Sequence, residues 1–561
     1  AASAALAVTV VPVLMGYFIR GKVVAESNNP VNRILIAGYM PLLKGVLRFP
    51  KTTLAMAVVI LLIGIWPVNQ IGSEFIPDLD EGDLMYMPTT YPGISIGKAR
   101  EILQQTDKLI MTVPEVKTVF GKIGRAETAT DPAPLTMIET FIQLKERSEW
   151  REGVTTESLK KELDNLVKLP GLTNAWVMPI KTRIDMLATG IKTPVGIKVA
   201  GAELPVIQQI GQQLETILAD VPGTASVYSE RVAGGRYIKV DIDREKASRF
   251  GLNIADVQQV VASAIGGVNV TQTVEGLERY PVNIRYPQSY RDSPEQMALL
   301  PIVTAKGQRI ALGDVADIKI ESGPPAIKSE NSRINGWTFV DIEGVDIGSY
   351  VETAMESVRK ELELPTGYSI HWSGQYEYML RAKEKLTYVV PLTLAIIAIL
   401  LFMNFRNFTE VVLLMGTLPF ALIGSIWLLY LMGFNFSIAV GVGFIALAGV
   451  AVEISVIMLV YLNQAWREEL TKNSTNSIGN SLTKTQLMQA VITGAGLRVR
   501  PVMMTAAAVI AGLIPILLGT GTGSEVMSRI AAPMVGGMVS AVILTLLVLP
   551  AFYYLWKLKS K

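Results

Sequence analysis

Methionine is the one soft metal ligand that this sequence offers, because its 561 residues contain 22 methionines, no cysteine and one histidine, His371. Thioether sulfur suits Cu(I) and Ag(I), whereas divalent ions such as Zn(II) prefer imidazole, thiolate and carboxylate. Met85 and Met87 lie two residues apart in DLMYMP, so both point to one face of a strand. Met137 precedes a predicted strand, and Met186 lies in the polar segment TRIDMLATG. Converging thioethers would form a metal site, but from spacing alone packing in a core is the favoured interpretation.

Glu453 is the one charged residue in the apolar run 437–462, which is long enough to span a membrane. On insertion scales a carboxylate at bilayer depth costs about 2.5–3.5 kcal/mol, so a retained one usually faces a bundle interior or a water-filled path. We therefore interpret Glu453 as a protonatable relay residue of a transporter. An acid held by a neighbouring helix, with a structural role only, is the alternative.

The sequence gives little support for nucleotide binding, nucleophilic catalysis or nucleic-acid binding. The segment GISIGKA (93–99) has three residues between its glycines and alanine after its lysine, so it does not match a phosphate-binding loop. The run GTGTGSE (519–525) follows no predicted strand and is interpreted as a flexible turn. With one histidine and no cysteine, we expect His371 to be a packed or surface residue rather than a catalytic one. A net charge of +2 gives no argument for binding nucleic acid. Because no nucleotide-binding motif is found, Glu453 indicates a transporter driven by an ion gradient. We expect it to have no cofactor and not to be an enzyme.

The apolar runs predict an α-helical membrane bundle of six full spans and one partial span. The assigned regions are the end of a span (1–19), a cytoplasmic loop with an interfacial helix (20–51), a span (52–69), five further spans (385–556) and a cytoplasmic tail (557–561). Lysine and arginine concentrate on the side of the first loop and the tail, which predicts that this side is cytoplasmic. The block 70–384 would then lie outside the cytoplasm. Because the sequence begins with alanine inside an apolar run, we expect the C-terminal part of a longer protein.

The block between the spans repeats one pattern four times: an amphipathic helix ends in an apolar residue and proline, and a short strand follows. The copies are KLIMTVPEVKTVF (108–120), LDNLVKLPGLTNAWV (163–177), LETILADVPGTASVY (214–228) and VRKELELPTGYSIHW (358–372). Repeats of this size predict ferredoxin-like subdomains made of split βαβ units. The stretch 237–325 breaks the pattern and is interpreted as an inserted module. The predicted fold class is thus a helical membrane bundle with a large periplasmic α+β block.

Several long motifs resemble the heavy-metal efflux branch of the resistance–nodulation–division (RND) superfamily, and most closely its Cus- and Sil-type copper/silver pumps. They are DLDEGDLMYMP (78–88), RIDMLATGIKTPVGIKV (183–199), GGRYIKVDIDREKASRFG (234–251), RYPQSYRDSP (285–294), RVRPVMMT (498–505) and GSEVMSRIAAPM (523–534). The resemblance implies the second half of an RND fold: two porter subdomains, 70–186 and 187–236 with 326–384, and a docking subdomain, 237–325. It also implies proton-driven export of Cu(I) and Ag(I) across the bacterial inner membrane by a homotrimer. A periplasmic adaptor and an outer-membrane channel would be its partners.

The same resemblance implies roles for particular residues. Metal would bind to Met87, Met137 and Met186, and Glu453 would be the proton-relay acid of the tenth span. The residues that match charged cleft positions or the metal path are Glu81, Asp131, Glu139, Arg183, Lys192 and Met527. Two positions depart from the family pattern, since Val502 stands where the relay has lysine and Asn269 where the metal path has methionine. The fourth span, which carries the relay's other acid, is not in this chain.

Two other functions are compatible with parts of the sequence. An RND pump for divalent metals or drugs would share the fold, although the chain offers one histidine and only 7% aromatic residues. A non-transporting component of a membrane assembly belongs to a different class, and the position at which the sequence begins would favour it if the gene also begins there.

Overall fold

The structure is a computed structural model of the chain, and it describes residues 2–18, 30–77, 79–124, 134–476, 482–519 and 521–559. The chain divides into two compact units. We call them the helical unit, which comprises Ala1–Asp80, Asp346–Ser349 and Gln375–Lys561, and the α/β unit, which comprises Glu81–Val345 and Tyr350–Gly374.

The α-helices of the described chain are, in chain order, α1 (Ala2–Phe18), α2 (Pro30–Arg48), α3 (Pro50–Ile65), α4 (Ile96–Ile110), α5 (Thr156–Leu166), α6 (Pro179–Thr189), α7 (Leu204–Ala219), α8 (Arg244–Arg249), α9 (Ile254–Val260), α10 (Pro294–Ala298), α11 (Ile347–Glu361), α12 (Gln375–Phe405), α13 (Phe408–Met415), α14 (Leu418–Met432), α15 (Ile438–Asn476), α16 (Lys484–Gly496), α17 (Val499–Leu517), α18 (Ser524–Ile543) and α19 (Leu549–Lys559). The strands are β1 (Asp83–Tyr86), β2 (Thr89–Thr90), β3 (Val116–Ile123), β4 (Ile138–Leu144), β5 (Leu172–Thr173), β6 (Trp176–Val177), β7 (Val195–Gly201), β8 (Thr224–Ser229), β9 (Gly235–Ile242), β10 (Val268–Glu275), β11 (Glu278–Ile284), β12 (Pro301–Val303), β13 (Arg309–Ala311), β14 (Ala316–Gly323), β15 (Lys328–Glu330), β16 (Arg333–Ile342) and β17 (Ser369–Gly374).

Within the described residues, six helical segments are long and apolar enough to cross a membrane. They are Pro50–Gln70, Gln375–Phe405, Phe408–Met432, Ile438–Asn473, Lys484–Leu517 and Ser524–Lys559. An α-helix of about 20 residues covers the hydrocarbon core of a bilayer, and every one of these segments reaches that length. The number agrees with the six full spans that the apolar runs predict.

Two of these segments have features that apolar length alone does not predict. The segment Phe408–Met432 consists of two helices, because α13 ends at Met415 and α14 begins at Leu418. Pro419 lies in the first turn of α14, where its missing N–H is tolerated, so it begins a new helix. The span predicted over 437–462 continues as helix to Asn476, since the polar segment NQAWREEL consists largely of good helix formers.

Helix α18 is central to the helical unit, since it packs against α15 and α17. Helix α18 also lies against α14, and a Cβ atom on Gly536 would stand only 2.4 Å from the carbonyl oxygen of Gly424. The hydroxyl of Ser425 donates a hydrogen bond of 2.5 Å to the carbonyl of Pro533 at the same crossing. Small residues permit this backbone contact between membrane helices, so the crossing depends on them.

The first sheet of the α/β unit has the strand order β3-β4-β1-β6, with every neighbouring pair antiparallel. Its elements follow one another along the chain as β1, α4, β3, β4, α5 and β6. Leu84 and Tyr86 of β1 share a buried cluster with Ile110 of α4 and Leu159 of α5, so the helices cover one face. Because side chains alternate along a strand, Met85 is directed to the opposite face.

The second sheet repeats this topology. Its elements follow one another as β7, α7, β8, β16, α11 and β17, and β16 and β7 are the central strands, as β4 and β1 are in the first sheet. Strand β8 pairs with one end of β16, and β15 pairs with the other. In both sheets the two central strands are hydrogen-bonded to neighbouring strands on both edges.

An insertion separates β8 from β16. Strands β9 and β14 close it, since they pair in register from Gly235 opposite Gly323 to Ile242 opposite Ala316. Buried residues that include Val257 and Leu312 give the insertion a small core of its own. The hairpin of β10 and β11 extends from this core with exposed residues on both strands.

Candidate metal site

The candidate site lies on the face of the first sheet that α4 and α5 do not cover. Met85 of β1 stands directly opposite Phe141 of β4 in the antiparallel register. Met87, two residues after Met85, and Glu139, two residues before Phe141, share this face, and Met137 precedes Glu139 by two residues. The period of two therefore gathers methionine side chains from β1 and β4 on one surface.

The structure brings the three predicted ligands together. Met85, Met87 and Val177 form a small buried cluster, against which Met137, Phe141 and Met186 pack. Met87 is fully buried, whereas Met137 and Met186 are partly exposed at the margin. Met85 belongs to the same cluster, and its spacing of two residues from Met87 was the signal that predicted a shared face. Among the described residues, no group of three or more His, Asp or Glu side chains is arranged to hold a metal ion.

Helix α6 carries Met186 to this surface. Pro179 occupies its first turn, and the carboxylate of Glu81 accepts hydrogen bonds from the backbone N–H groups of Ile180 (2.7 Å) and Lys181 (2.9 Å). These N–H groups lack partners inside the helix, and a negative charge at a helix N-terminus is favourable. Glu81, which the resemblance assigns to the cleft, therefore fixes the beginning of α6 in this structure.

The carboxylate of Glu139 is buried beside the methionines and compensated by two cations. Its Oε2 lies 2.9 Å from Nζ of Lys122 and 3.5 Å from Nη2 of Arg183. Arg183 belongs to α6, so this ion pair ties the helix to β4. Buried charges require such partners, and the pair therefore links two of the predicted cleft residues.

Lys192 is buried below the site. Its Nζ donates hydrogen bonds to the carbonyl oxygen of Met87 (3.0 Å) and to Oγ1 of Thr89 (2.5 Å). Burial lowers the pKa of Lys192 to about 8, and the nearby carboxylates, Glu230 first among them, oppose this effect. The ammonium group thus contacts both residues that flank Pro88, the backbone of Met87 and the side chain of Thr89.

The remaining predicted residues lie elsewhere. Asp131 is outside the described residues. In the α/β unit, Asn269 of β10 accepts a hydrogen bond from Asn283 of β11 at 3.0 Å. Met527 belongs to the helical unit and is exposed on α18, whereas Val502 is buried in the core of that unit. Glu453 is exposed on α15, between the buried residues Val452 and Ile454, so it does not point into the core of the helical unit.

Comparison with known proteins defines the class of this chain. The AcrB/AcrD/AcrF family is matched over residues 1–557, and the chain belongs to this family of RND transporters. The resemblance to the Cus and Sil type is confirmed. The chain is 53% identical over 555 residues to the cation efflux system protein CusA of Escherichia coli (strain K12), a match that covers 99% of this chain and 53% of CusA.

Two further relatives support this class. The putative cation efflux system protein SilA of Salmonella typhimurium is 53% identical over 564 residues, which cover 100% of this chain and 53% of SilA. A crystal structure of a heavy metal efflux pump, crystal form II, superimposes with a TM-score of 0.83 at 31% identity, covering 95% of this chain and 52% of the pump. The chain thus spans about half the length of the curated relatives it matches.

Proposed function

We propose that this chain is part of a pump that exports Cu(I) and Ag(I), with Met87, Met137 and Met186 as metal ligands. The observation that carries the proposal is the methionine cluster on the face of the first sheet opposite α4 and α5. Thioether ligands select soft monovalent ions, and they bind them without the deprotonation that thiolate or imidazole ligands require. Identity of 53% to CusA and SilA, both cation efflux system proteins, supports the same conclusion.

We infer that the six apolar segments cross the bacterial inner membrane and that residues 70–384 form the periplasmic part. The topology shared by the two sheets supports two ferredoxin-like porter subdomains, and the insertion between β8 and β16 supports a docking subdomain. Following the family resemblance, we propose a homotrimer that works with a periplasmic adaptor and an outer-membrane channel. Glu139, Arg183 and Met527 would assist movement of the metal.

Glu453 is the proposed site of proton coupling. Its carboxylate is exposed on an apolar helix, and an exposed carboxylate at bilayer depth is costly. A neighbouring group of the complete pump or a water-filled path must therefore face it. A change in its protonation would shift the helices only if the two conformations differ in proton affinity.

The ligand assignment is tested by replacing each of Met87, Met137 and Met186 with leucine in the complete pump. Leucine nearly preserves the side-chain volume but removes the sulfur, so each change should abolish copper and silver resistance at unchanged expression. Met297→Leu is the matched control for Met87, because Met297 is also fully enclosed but packs in the core of the insertion.

Calorimetric titration of the purified complete pump with Ag(I), Cu(I) and Zn(II) adds a direct readout. We expect monovalent binding that each of the three substitutions weakens. Retained resistance in all three variants would overturn the assignment, and Zn(II) binding that survives them would indicate a pump for divalent metals.

The coupling assignment is tested by Glu453→Gln in the complete pump. A carboxamide is isosteric but cannot take up the proton, so metal transport into proteoliposomes under a proton gradient should stop while Ag(I) binding persists. Glu468→Gln is the control on the same helix, since Glu468 accepts a hydrogen bond from Gln464 in the polar part of α15. Unchanged transport by Glu453→Gln would remove Glu453 from the mechanism.

A further inference from the structure

Helix α6 ends at Thr189, and the next residue, Gly190, lies against a tryptophan of the second sheet, Trp337 of β16. Gly190 has a left-handed backbone conformation, with φ of +80°. A Cβ atom at this position would lie 2.2, 2.7 and 2.9 Å from Cη2, Cζ3 and Cζ2 of Trp337, so any side chain here would overlap the benzene ring of the indole. The ring therefore rests on the end of the helix.

Trp337 is itself held in place from several sides. Its Nε1 donates a hydrogen bond of 2.9 Å to Oδ1 of Asn335, and its backbone N–H donates one of 3.2 Å to Glu230. The ammonium groups of Lys328 and Lys198 lie 3.6 and 5.3 Å from the ring, at distances typical of cation–π contacts. These contacts oppose rotation of the ring away from Gly190.

The end of α6 and the candidate ligand are directly connected. The backbone N–H of Gly190 donates a hydrogen bond of 2.8 Å to the carbonyl oxygen of Met186, one helical turn earlier. Any displacement of Gly190 is therefore transmitted to Met186. Trp337 does not belong to the methionine cluster, so its effect on that cluster must pass through the helix.

We propose that Trp337 is a positioning residue for the metal site: its indole, seated on Gly190, holds the last turn of α6 where Met186 can complete a three-thioether set for a soft monovalent ion. Glu81 fixes the other end of the helix. The inference rests on the proposed function for its ligand chemistry, but the seating of α6 by Trp337 exists without metal.

The test introduces the methyl group that the structure excludes, by Gly190→Ala in the complete pump. Gly153→Ala is the matched control, because Gly153 has φ of +81° and open space around its missing side chain. Both changes impose the same backbone strain, and only the first one overlaps the indole. The double variant Gly190→Ala with Trp337→Phe removes the overlapping part of the ring. It should relieve the overlap and leave the backbone strain at residue 190 unchanged.

Two readouts separate this inference from the proposed function. In metal-free protein, hydrogen exchange of the backbone of α6 should be faster in Gly190→Ala than in Gly153→Ala, and the double variant should return towards the control. With Ag(I), affinity should fall about tenfold or more, as is usual when a residue that orients a ligand is lost. Silver X-ray absorption should then count two sulfur neighbours instead of three.

The outcomes are distinct. If α6 exchanges equally fast in Gly190→Ala and Gly153→Ala, or if the double variant shows no recovery, then Trp337 does not hold α6 in place, whatever the metal result. Changed exchange with unchanged Ag(I) affinity and sulfur count would overturn the link from Trp337 to Met186. Absence of sulfur-bound Ag(I) in the unaltered pump would instead overturn the proposed ligands, while the exchange data would still decide whether Trp337 seats α6.

Discussion

Glu81 offers the sharpest test of how the candidate site is built. Its two carboxylate oxygens accept the N–H groups of Ile180 and Lys181, so each oxygen satisfies one donor at the beginning of α6. Glu81→Ala removes both acceptors and the charge. Glu81→Gln keeps one acceptor oxygen and removes the charge, so the two variants separate hydrogen bonding from helix-dipole electrostatics.

The expected magnitude follows from these contacts. Loss of a capping side chain costs about 1 kcal/mol, and loss of a negative charge at a helix N-terminus costs about 0.5 kcal/mol more. The sum for Glu81→Ala is about 1.5 kcal/mol, which corresponds to about a tenfold rise in local opening of α6. We expect Glu81→Gln to lose about 1 kcal/mol of this free energy, because the charge and one of the two acceptor oxygens are removed.

The assay is hydrogen exchange of the complete pump, followed at the backbone amides of the first turns of α6. Glu101→Ala is the control, since Glu101 forms an exposed ion pair with Lys98 (3.1 Å) on α4 and such pairs contribute little. The order of exchange rates should be Glu81→Ala, then Glu81→Gln, then the unaltered chain. Equal rates in all three, or no difference from the control, would refute the role of Glu81 as the cap of α6.

Two further predictions concern stability. Arg151→Met should destabilise the α/β unit by about 2 kcal/mol at neutral pH, because Arg151 holds the buried Glu115 through contacts of 2.7 and 2.8 Å. The hydrogen bond from Arg151 lowers the pKa of Glu115 from its ordinary 4.5. The difference in unfolding free energy between the unaltered chain and the variant should therefore shrink as the pH falls below 4.5 and the carboxyl is protonated. Chemical denaturation at several pH values checks this, and a difference that does not change with pH would contradict it. Gly536→Ala should cost about 1–3 kcal/mol or reduce the yield of folded pump, since its methyl group meets the backbone of Gly424. Thermal unfolding in detergent checks this against Gly512→Ala, which has open space on α17, and equal melting of the two variants would contradict it.

Local pattern predicted much of the fold. The number of membrane-crossing segments follows from apolar length, because a bilayer of fixed thickness requires about 20 residues of helix. The common direction of Met85 and Met87 follows from strand alternation. Apolar length does not show that the segment Phe408–Met432 divides into α13 and α14, since Pro419 is compatible with a kink inside one helix and with the first turn of a new helix.

The candidate site depends on contacts that local sequence patterns do not predict. Spacing named Met137 and Met186 only as isolated methionines, and the family resemblance was needed to group them with Met87. No local signal identified Trp337, because its importance depends on the glycine that it covers, nearly 150 residues earlier in the chain. Likewise, a single acid in an apolar run identified Glu453, but not the face of α15 on which it lies.

The sequence by itself therefore determined the spans, the direction of side chains within each strand and the softness of the available ligands, since these depend on residue type and on periods of two or 3.6 residues. Only the tertiary structure decided that the methionines meet. That meeting requires the antiparallel register of β1 with β4 and the fixing of α6 by Glu81 at one end and Trp337 at the other. These contacts join residues far apart in the chain, where no local period relates one position to the other.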